Sequence, residues 1–286
     1  MRMSLHISAD GHLRFYRTFI CVIIAGLLVF SVTTAHAAAQ RLTLTGSSTV
    51  APLVNEIARR FEAQFPGVRI DVQTGGSSRG INDVRKGVAD IGMVSRALKP
   101  GEEDLHAHTI ALDGIGLIVH ARNPVVSLSR QQIADIFTGN ITRWNAVGGD
   151  DARITVVNKA EGRSTLELFL AYFQLKNSAI RPQVIIGDNA QGIKTVTGNR
   201  NAIGYVSIGA AEYESRRGVP LRLLALDGVA ASVDNVRNGN FPLSRPLNLI
   251  TAGVPQGLAR RFITFAQSAQ VHDLIEAQYF VPPDAD

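Results

Sequence analysis

Three short stretches rich in glycine, serine and threonine lie where a predicted strand passes into a predicted helix. They read TGSSTVAP over 45–52, GGSSRG over 75–80 and EGRST over 161–165. The first turn of a helix has backbone N–H groups without intrahelical partners, and glycines and hydroxyls allow an anion to approach them. We therefore expect the three loops to converge on one oxyanion. The alternative is that Ser47, Ser48 and Ser77 only cap their helices.

The apolar pattern predicts the elements that position these loops. Strands are expected over 41–45, 68–72 and 90–94, with helices over 50–65 and 81–86. This alternation predicts a parallel sheet, whose ligands bind beyond the carboxyl ends of the strands. Further strands over 110–120, 154–157, 203–206, 221–226 and 247–251, and helices over 129–137, 165–173, 258–265 and 271–278, predict a second α/β lobe. We expect the chain to cross between lobes at 113–117 and 244–247.

The first 37 residues have the pattern of a secretory signal peptide. Arg14 and Arg17 precede an apolar run over 19–32, and Ala35 and Ala37 are small residues at the alternating positions of a cleavage site. We favour a cleaved signal peptide over a retained anchor because the run is shorter than the ~20 residues of a spanning helix. The single cysteine, Cys21, lies in this segment, so the exported chain would lack disulfides and thiol chemistry.

The composition, 45% hydrophobic and 19% charged over 286 residues, is that of a globular protein. The formal net charge of +5 falls to about +3 without the first 37 residues, because three arginines and one aspartate leave with them. Basic and acidic residues are interspersed, and no block of lysine or arginine indicates a nucleic-acid surface. A mild positive excess is sufficient to steer an anion towards a cleft.

Six stretches, in order along the chain, resemble the phosphate-binding periplasmic proteins of bacterial ABC importers. They are GSSTVAP at 46–52, GGSS at 75–78, ADIG at 89–92, IADIFTG at 133–139, AIGYV at 202–206 and FPLSRPL at 241–247. The resemblance implies a two-lobed periplasmic binding protein of type II, each lobe a mostly parallel sheet flanked by helices, with the ligand cleft between lobes. Lobe 1 would comprise 38–114 and 246–286, and lobe 2 would comprise 115–245.

The resemblance further implies a monomeric periplasmic protein that captures inorganic phosphate and delivers it to an ABC permease, without catalysis, cofactor or metal. Carried over position by position, the ligand contacts are Ser48, Thr49, Val50, Ser77, Ser95, Lys159, Arg163, Ser164 and Thr165. Two departures from the family stand out. Lys159 replaces an arginine and Arg163 replaces a small hydroxyl residue, so we expect Arg163 to provide the planar donor that Lys159 lacks. Ser95 replaces an aspartate that accepts the proton of the ligand, which leaves Glu161 as the nearest alternative acceptor.

Other functions stay open at this point. A serine hydroxyl both donates and accepts, so sulfate, molybdate or another oxyanion is an alternative ligand. A secreted phosphate-handling enzyme is the less favoured alternative, because the chain lacks the GxxxxGK[ST] and HExxH motifs and its histidines are scattered. A sensor that uses the same fold without a transporter is a third.

Overall fold

The computed structural model describes residues 40–283, and the predicted signal peptide at 1–37 lies outside the described residues. The strands are β1 (Gln40–Gly46), β2 (Val68–Thr74), β3 (Ile91–Val94), β4 (His106–His120), β5 (Ser127–Leu128), β6 (Thr155–Lys159), β7 (Val184–Ile186), β8 (Ala202–Ser207), β9 (Leu221–Leu223), β10 (Ala225–Leu226) and β11 (Ser244–Thr251). The α-helices are α1 (Ala51–Gln64), α2 (Ser77–Arg85), α3 (Arg130–Thr138), α4 (Ser164–Phe173), α5 (Asn189–Thr197), α6 (Ile208–Arg216), α7 (Val233–Arg237), α8 (Gly257–Ala266) and α9 (His272–Ala277). Short 3-10 helices cover Trp144–Val147, Asn177–Ala179 and Ala269–Val271. Over residues 40–283, no helix combines the length and apolar character needed to cross a membrane.

A nine-stranded sheet connects the described part of the chain, in the order β2-β1-β3-β11-β4-β8-β6-β7, with β9 paired to β4. The pairs at the two ends of this order, β1 with β2 and β3 and β6 with β7 and β8, are parallel, as the alternation of strands and helices predicts. The central pairs that involve β4 and β11 are antiparallel. The two segments predicted to cross between lobes therefore run side by side in opposite directions at the middle of the sheet.

Two large apolar cores lie on either side of these central strands. One contains Phe61 of α1 and Phe262 of α8, and the other contains Phe137 of α3 and Phe169 of α4. Strand β4 contributes to both cores, with Ile110 and Ala111 in the first and Ile115, Leu117 and Val119 in the second. One strand thus passes from one core into the other. The lobe boundaries given above stay a prediction.

Several elements were not predicted from the apolar pattern, notably α5, α6, α7 and β7. Helix α5 reads NAQGIKTVT, in which a glycine and two threonines weaken the helical signal. Helix α2 begins at Ser77, whereas the apolar pattern predicted a start at residue 81. The pattern missed the first turn because that turn consists of serine, arginine and glycine and has no apolar side chain to bury. Its buried face includes Ser77, Gly80, Ile81 and Val84.

Gly46 ends β1 at the point where three strands meet. Its carbonyl accepts hydrogen bonds from the N–H groups of Gly75 and Gly76, both at 2.9 Å, and the next residue, Ser47, donates its N–H to the Met93 carbonyl. With φ of 133°, Gly46 has a backbone conformation that side chains disfavour, and a Cβ there would lie 2.3 Å from the Met93 oxygen. A glycine is therefore required for the first serine-rich loop to approach β3.

We predict that Gly46→Ala lowers the free energy of unfolding by about 2 kcal/mol or more, because it adds a clash with backbone atoms to an unfavourable φ. Urea denaturation followed by circular dichroism measures the change. Gly253→Ala is the control, since a Cβ at Gly253 meets no atom within 4 Å among the described residues and its φ is not positive. Equal stability of the two variants would show that the backbone at Gly46 relaxes without cost.

Candidate functional site

The three loops singled out by the sequence lie at the starts of α1, α2 and α4, and none of these three helices has a side-chain cap. Ser77 instead accepts a hydrogen bond from the Ser95 N–H at 3.2 Å. Ser47 Oγ donates to Ser95 Oγ at 3.0 Å and accepts from the Thr49 N–H at 3.2 Å. The explanation of Ser47 and Ser77 as helix caps is therefore wrong, because both hydroxyls form hydrogen bonds to Ser95, in the loop after β3.

Arg245 of β11 lies at the centre of these loops. Its Nη1 donates to Thr165 Oγ1 at 2.9 Å and lies 3.4 Å from Ser95 Oγ, and its Nη2 lies 3.5 Å from Thr49 Oγ1. The guanidinium thus contacts hydroxyls from three separate loops. Its side chain is 1% exposed, so the sequence has placed a permanent positive charge in the interior.

Asp113 of β4 balances this charge. Its Oδ2 accepts hydrogen bonds from Arg245 Nε at 3.1 Å and Nη2 at 2.8 Å. Its Oδ1 accepts from Ser207 Oγ at 3.0 Å and from the Gly209 N–H at 3.2 Å. Four donors occupy this buried carboxylate, so it holds Arg245 in place and is not a spare acceptor for a ligand.

Lys159 of β6 adds a second buried cation. Its Nζ donates to Asn189 Oδ1 at 2.9 Å, and Asn189 Nδ2 donates to Thr49 Oγ1 at 3.2 Å. Burial, together with the positive charges of Arg245 and Arg163, lowers the pKa of Lys159 to about 7, although the negative charge of Asp188 acts in the opposite direction. An amine with this pKa gains a proton readily when an anion comes close.

Arg163 and Ser164 carry polar atoms that have no hydrogen-bond partner among the described residues. These are Arg163 Nε and Ser164 Oγ, and both are buried. A Cβ on Gly76 would lie 2.9 Å from Arg163 Cδ and 3.3 Å from Nε, so a glycine is needed opposite this arginine. Leaving a buried polar group without a partner is costly, so these two atoms indicate a place where a ligand acceptor could bind.

The structure brings together most of the residues predicted from the sequence. Thr49, Ser77, Ser95, Lys159 and Thr165 belong to one hydrogen-bonded cluster around Arg245, which we call the anion cluster together with Arg163 and Ser164. Val50 is fully buried as the residue before α1.

Two predicted residues do not join the hydrogen bonds of the cluster. Ser48 is half-buried and lines a groove of about 350 Å³ that Thr49 and Asn189 also line. Glu161 is exposed and accepts a hydrogen bond from Asn177 at 2.9 Å, so the structure does not support it as an acceptor for the ligand.

Comparison with known proteins decides the family. The model of the PBP superfamily domain matches residues 32–270. The chain belongs to the PBP superfamily. It is similar to the phosphate-binding protein PstS of Bacillus subtilis (29% identical, covering 86% of this chain and 81% of that protein).

Among solved structures, the PBP fold of this chain is similar to a putative phosphate ABC transporter substrate-binding protein of Clostridium perfringens with bound phosphate. The identity is 33%, the coverage is 86% of this chain and 100% of that one, and the TM-score is 0.80. An ABC-type phosphate transport receptor of Vibrio cholerae is 30% identical over 85% of this chain and 100% of its own, with a TM-score of 0.71. The predicted family resemblance and the two-lobed α/β fold are confirmed.

Sequence reasoning missed the two residues on which the cluster is built, Arg245 and Asp113. Both lie in segments predicted as crossing strands, and a charged residue in each apolar strand was the available signal. Asn189, which bridges Lys159 and Thr49, also joins the cluster, and the sequence signal for it is a helix start directly after Gly187 and Asp188. Gln191, at the same helix start, is exposed and bonds to the Gly187 N–H of its own turn.

The depressed pKa of Lys159 predicts a pH-dependent stability. The unfolded chain binds a proton at this lysine up to its ordinary pKa of 10.5, whereas the folded chain releases it near 7, so stability rises between these pH values. We expect Lys159→Met to remove most of this rise and to be more stable at pH 7, by on the order of a few kcal/mol.

Chemical denaturation at pH 7, 8, 9 and 10 measures this gradient. Lys176→Met, at an exposed lysine, is the control and should leave the gradient intact. A parallel gradient in Lys159→Met and wild type would mean that Lys159 remains charged in the folded protein.

Proposed function

We propose that this chain is an extracytoplasmic solute-binding protein that captures inorganic phosphate between two hinged lobes and delivers it to an ABC permease. The observation that carries the proposal is the buried Arg245 guanidinium at the meeting point of three hydroxyl-bearing loops. Arg163 Nε and Ser164 Oγ, which lack hydrogen-bond partners among residues 40–283, support it, because a bound anion would supply the acceptor. The similarity to phosphate-binding proteins agrees with this chemistry.

The proposed mechanism uses neutral donors as well as charges. Phosphate that enters the cleft loses its hydration shell, so each oxygen must receive hydrogen bonds from the protein. The N–H groups at the starts of α1, α2 and α4 and the hydroxyls of Thr49, Ser95 and Thr165 would donate them, and Arg245 and Arg163 would balance the charge. Lys159 would take up a proton as the anion binds.

The cellular context follows from the sequence. Residues 1–37 would direct export and be removed, leaving lobe 1 at 38–114 and 246–286 and lobe 2 at 115–245. A binding protein of this kind functions as a monomer that presents its closed form to a permease. The related proteins are binding proteins, and we propose that this chain, too, performs no catalysis and carries no cofactor or metal.

Another oxyanion is the second candidate ligand, on the basis of the acceptors near the cluster. Sulfate is fully ionised, whereas phosphate retains a proton near neutral pH, so a carboxylate that accepts this proton favours phosphate and repels sulfate. Asp113 is occupied by four donors, and Ser95 offers a hydroxyl that can donate as well as accept. The cluster therefore provides weaker discrimination between the two anions than a free carboxylate would.

Calorimetric titration with phosphate tests the main proposal and the role of Arg163. Wild type should bind one phosphate per chain, and Arg163→Ala should bind about tenfold or more weakly, since a hydrogen bond to a charged group contributes ~1.5–3 kcal/mol. Arg217→Ala is the matched control, because Arg217 is an exposed arginine in the loop between α6 and β9, and this variant should bind phosphate as wild type does. Absence of phosphate binding by wild type would refute the function, while undiminished binding by Arg163→Ala would refute only the role of Arg163.

Selectivity gives a separate prediction. Ser95→Asp places a carboxylate within the cluster and should weaken sulfate binding at least tenfold more than phosphate binding at pH 7. Ser95→Asn, which has the same shape without the charge, should weaken both anions to a similar degree. Competition titrations with phosphate, sulfate and molybdate provide the measurement, and an unchanged ratio in Ser95→Asp would place the discrimination elsewhere.

A further inference from the structure

Glu167, in the first turn of α4, joins the two sides of the cleft without belonging to the anion cluster. Its Oε2 lies 2.9 Å from Arg96 Nε and 2.6 Å from Lys99 Nζ, and its Oε1 accepts from Ser78 Oγ at 3.4 Å. These three partners come from the loops around α2 and β3, whereas Glu167 belongs to the helix that follows β6. We call these four residues the rim network.

Arg96 is held in place by contacts other than the one with Glu167. Its side chain is 4% exposed, and its guanidinium forms two hydrogen bonds with Glu102, at 2.7 and 2.8 Å. Its carbonyl accepts from Asn248 Nδ2 at 2.9 Å. Burial alone would lower the pKa of Arg96, but the hydrogen bonds that it donates to Glu102 and the negative charge of Glu167 outweigh burial and raise the pKa. The arginine therefore presents a rigid, permanently charged donor to the opposite side of the cleft.

Three members of the rim network lie within two residues of an anion-cluster residue in the sequence. Arg96 follows Ser95, Ser78 follows Ser77, and Glu167 lies two residues after Thr165. A backbone hydrogen bond from the Ser78 N–H to the Gly162 carbonyl at 3.3 Å reinforces the same junction. Forming the rim network thus sets the separation between the donors of one side and those of the other.

We propose that Glu167 is a positioning residue that holds the two sides of the cleft together, so that the rim network controls how long the bound anion is retained. This inference rests on the proposed function for the identity of the ligand, whereas the contacts that hold the two sides together do not depend on it. The Glu167 carboxylate contacts the side chains of Arg96, Lys99 and Ser78, and none of these three residues belongs to the anion cluster. Its carboxylate stabilises the closed arrangement, and the affinity depends on the fraction of molecules that adopt this arrangement.

The partial exposure of the network sets the size of the effect. Glu167 is 24% exposed and Lys99 is 49% exposed, so water and salt screen the outer part of the network. The contact with buried Arg96 is screened less. We expect loss of the Glu167 charge to weaken apparent affinity about threefold to tenfold, mainly through faster release.

Glu167→Gln tests the inference by two independent measurements. Stopped-flow kinetics with phosphate should show a release rate about threefold to tenfold faster than that of wild type, with a smaller change in the association rate and a weaker dependence of release on salt. Small-angle X-ray scattering without phosphate should show a larger radius of gyration for Glu167→Gln than for wild type. Glu276→Gln, which removes a carboxylate of an exposed ion pair with Arg237, is the matched control and should change neither quantity.

Lys99→Gln removes only the outer arm of the network and should give a smaller increase in release rate, which guards against a folding defect in the first variant. Wild-type release and scattering in Glu167→Gln would overturn the inference. If wild type fails to bind phosphate, the proposed ligand is refuted, and the scattering comparison alone still decides whether Glu167 holds the cleft closed.

Discussion

The ion pair between Arg245 and Asp113 is the constraint on which the rest of the site depends. The two residues lie directly opposite each other in the antiparallel pairing of β11 with β4, so the register of the central strands fixes the position of the guanidinium. Both side chains are 1% exposed. A buried ion pair of this kind is tolerable only when its remaining donors and acceptors also form hydrogen bonds. Ser207 Oγ and the Gly209 N–H meet this requirement by donating to the second oxygen of the Asp113 carboxylate. The outer strands and helices then only have to bring their loops to a charge that is already placed.

The charge around this pair has an excess of positive groups, which is what the proposed anion site requires. Asp113 neutralises one cation, but Lys159 and Arg163 add positive charge nearby, and the low pKa of Lys159 records the resulting repulsion as well as its burial. Buried cations that repel one another lower the free energy of unfolding, a cost that proteins commonly carry at functional sites. An anion relieves the repulsion and supplies the acceptor that Arg163 Nε and Ser164 Oγ lack among the described residues.

How far the sequence predicts this molecule depends on the range of the interactions involved. The strands and the helix starts arise from local patterns, and these placed Thr49, Ser77 and Thr165 correctly at helix N-termini. The ion pair joins positions 132 residues apart, and no local period indicates that they meet. The start of helix α5 is visible in the sequence at its capping aspartate, Asp188, but its packing depends on distant partners in β8 and β4, which the local pattern does not show. Long-range register, not local propensity, determines the part of the site that remained hidden.

The anion cluster and the rim network divide the work of binding according to their exposure. Deep in the cleft, hydroxyls, helix N-termini and Arg245 act where water is excluded, so small differences in donors and acceptors produce large differences in affinity and decide which anion fits. At the rim, Glu167 and Lys99 are partly hydrated, so their attraction is weaker, sensitive to salt and able to break on the timescale of release. If the strong interactions alone closed the cleft, a permease would have to overcome them all at once. In the proposed mechanism, placing the closing contacts at the rim would let a permease open the cleft from its edge while the inner donors still held the anion.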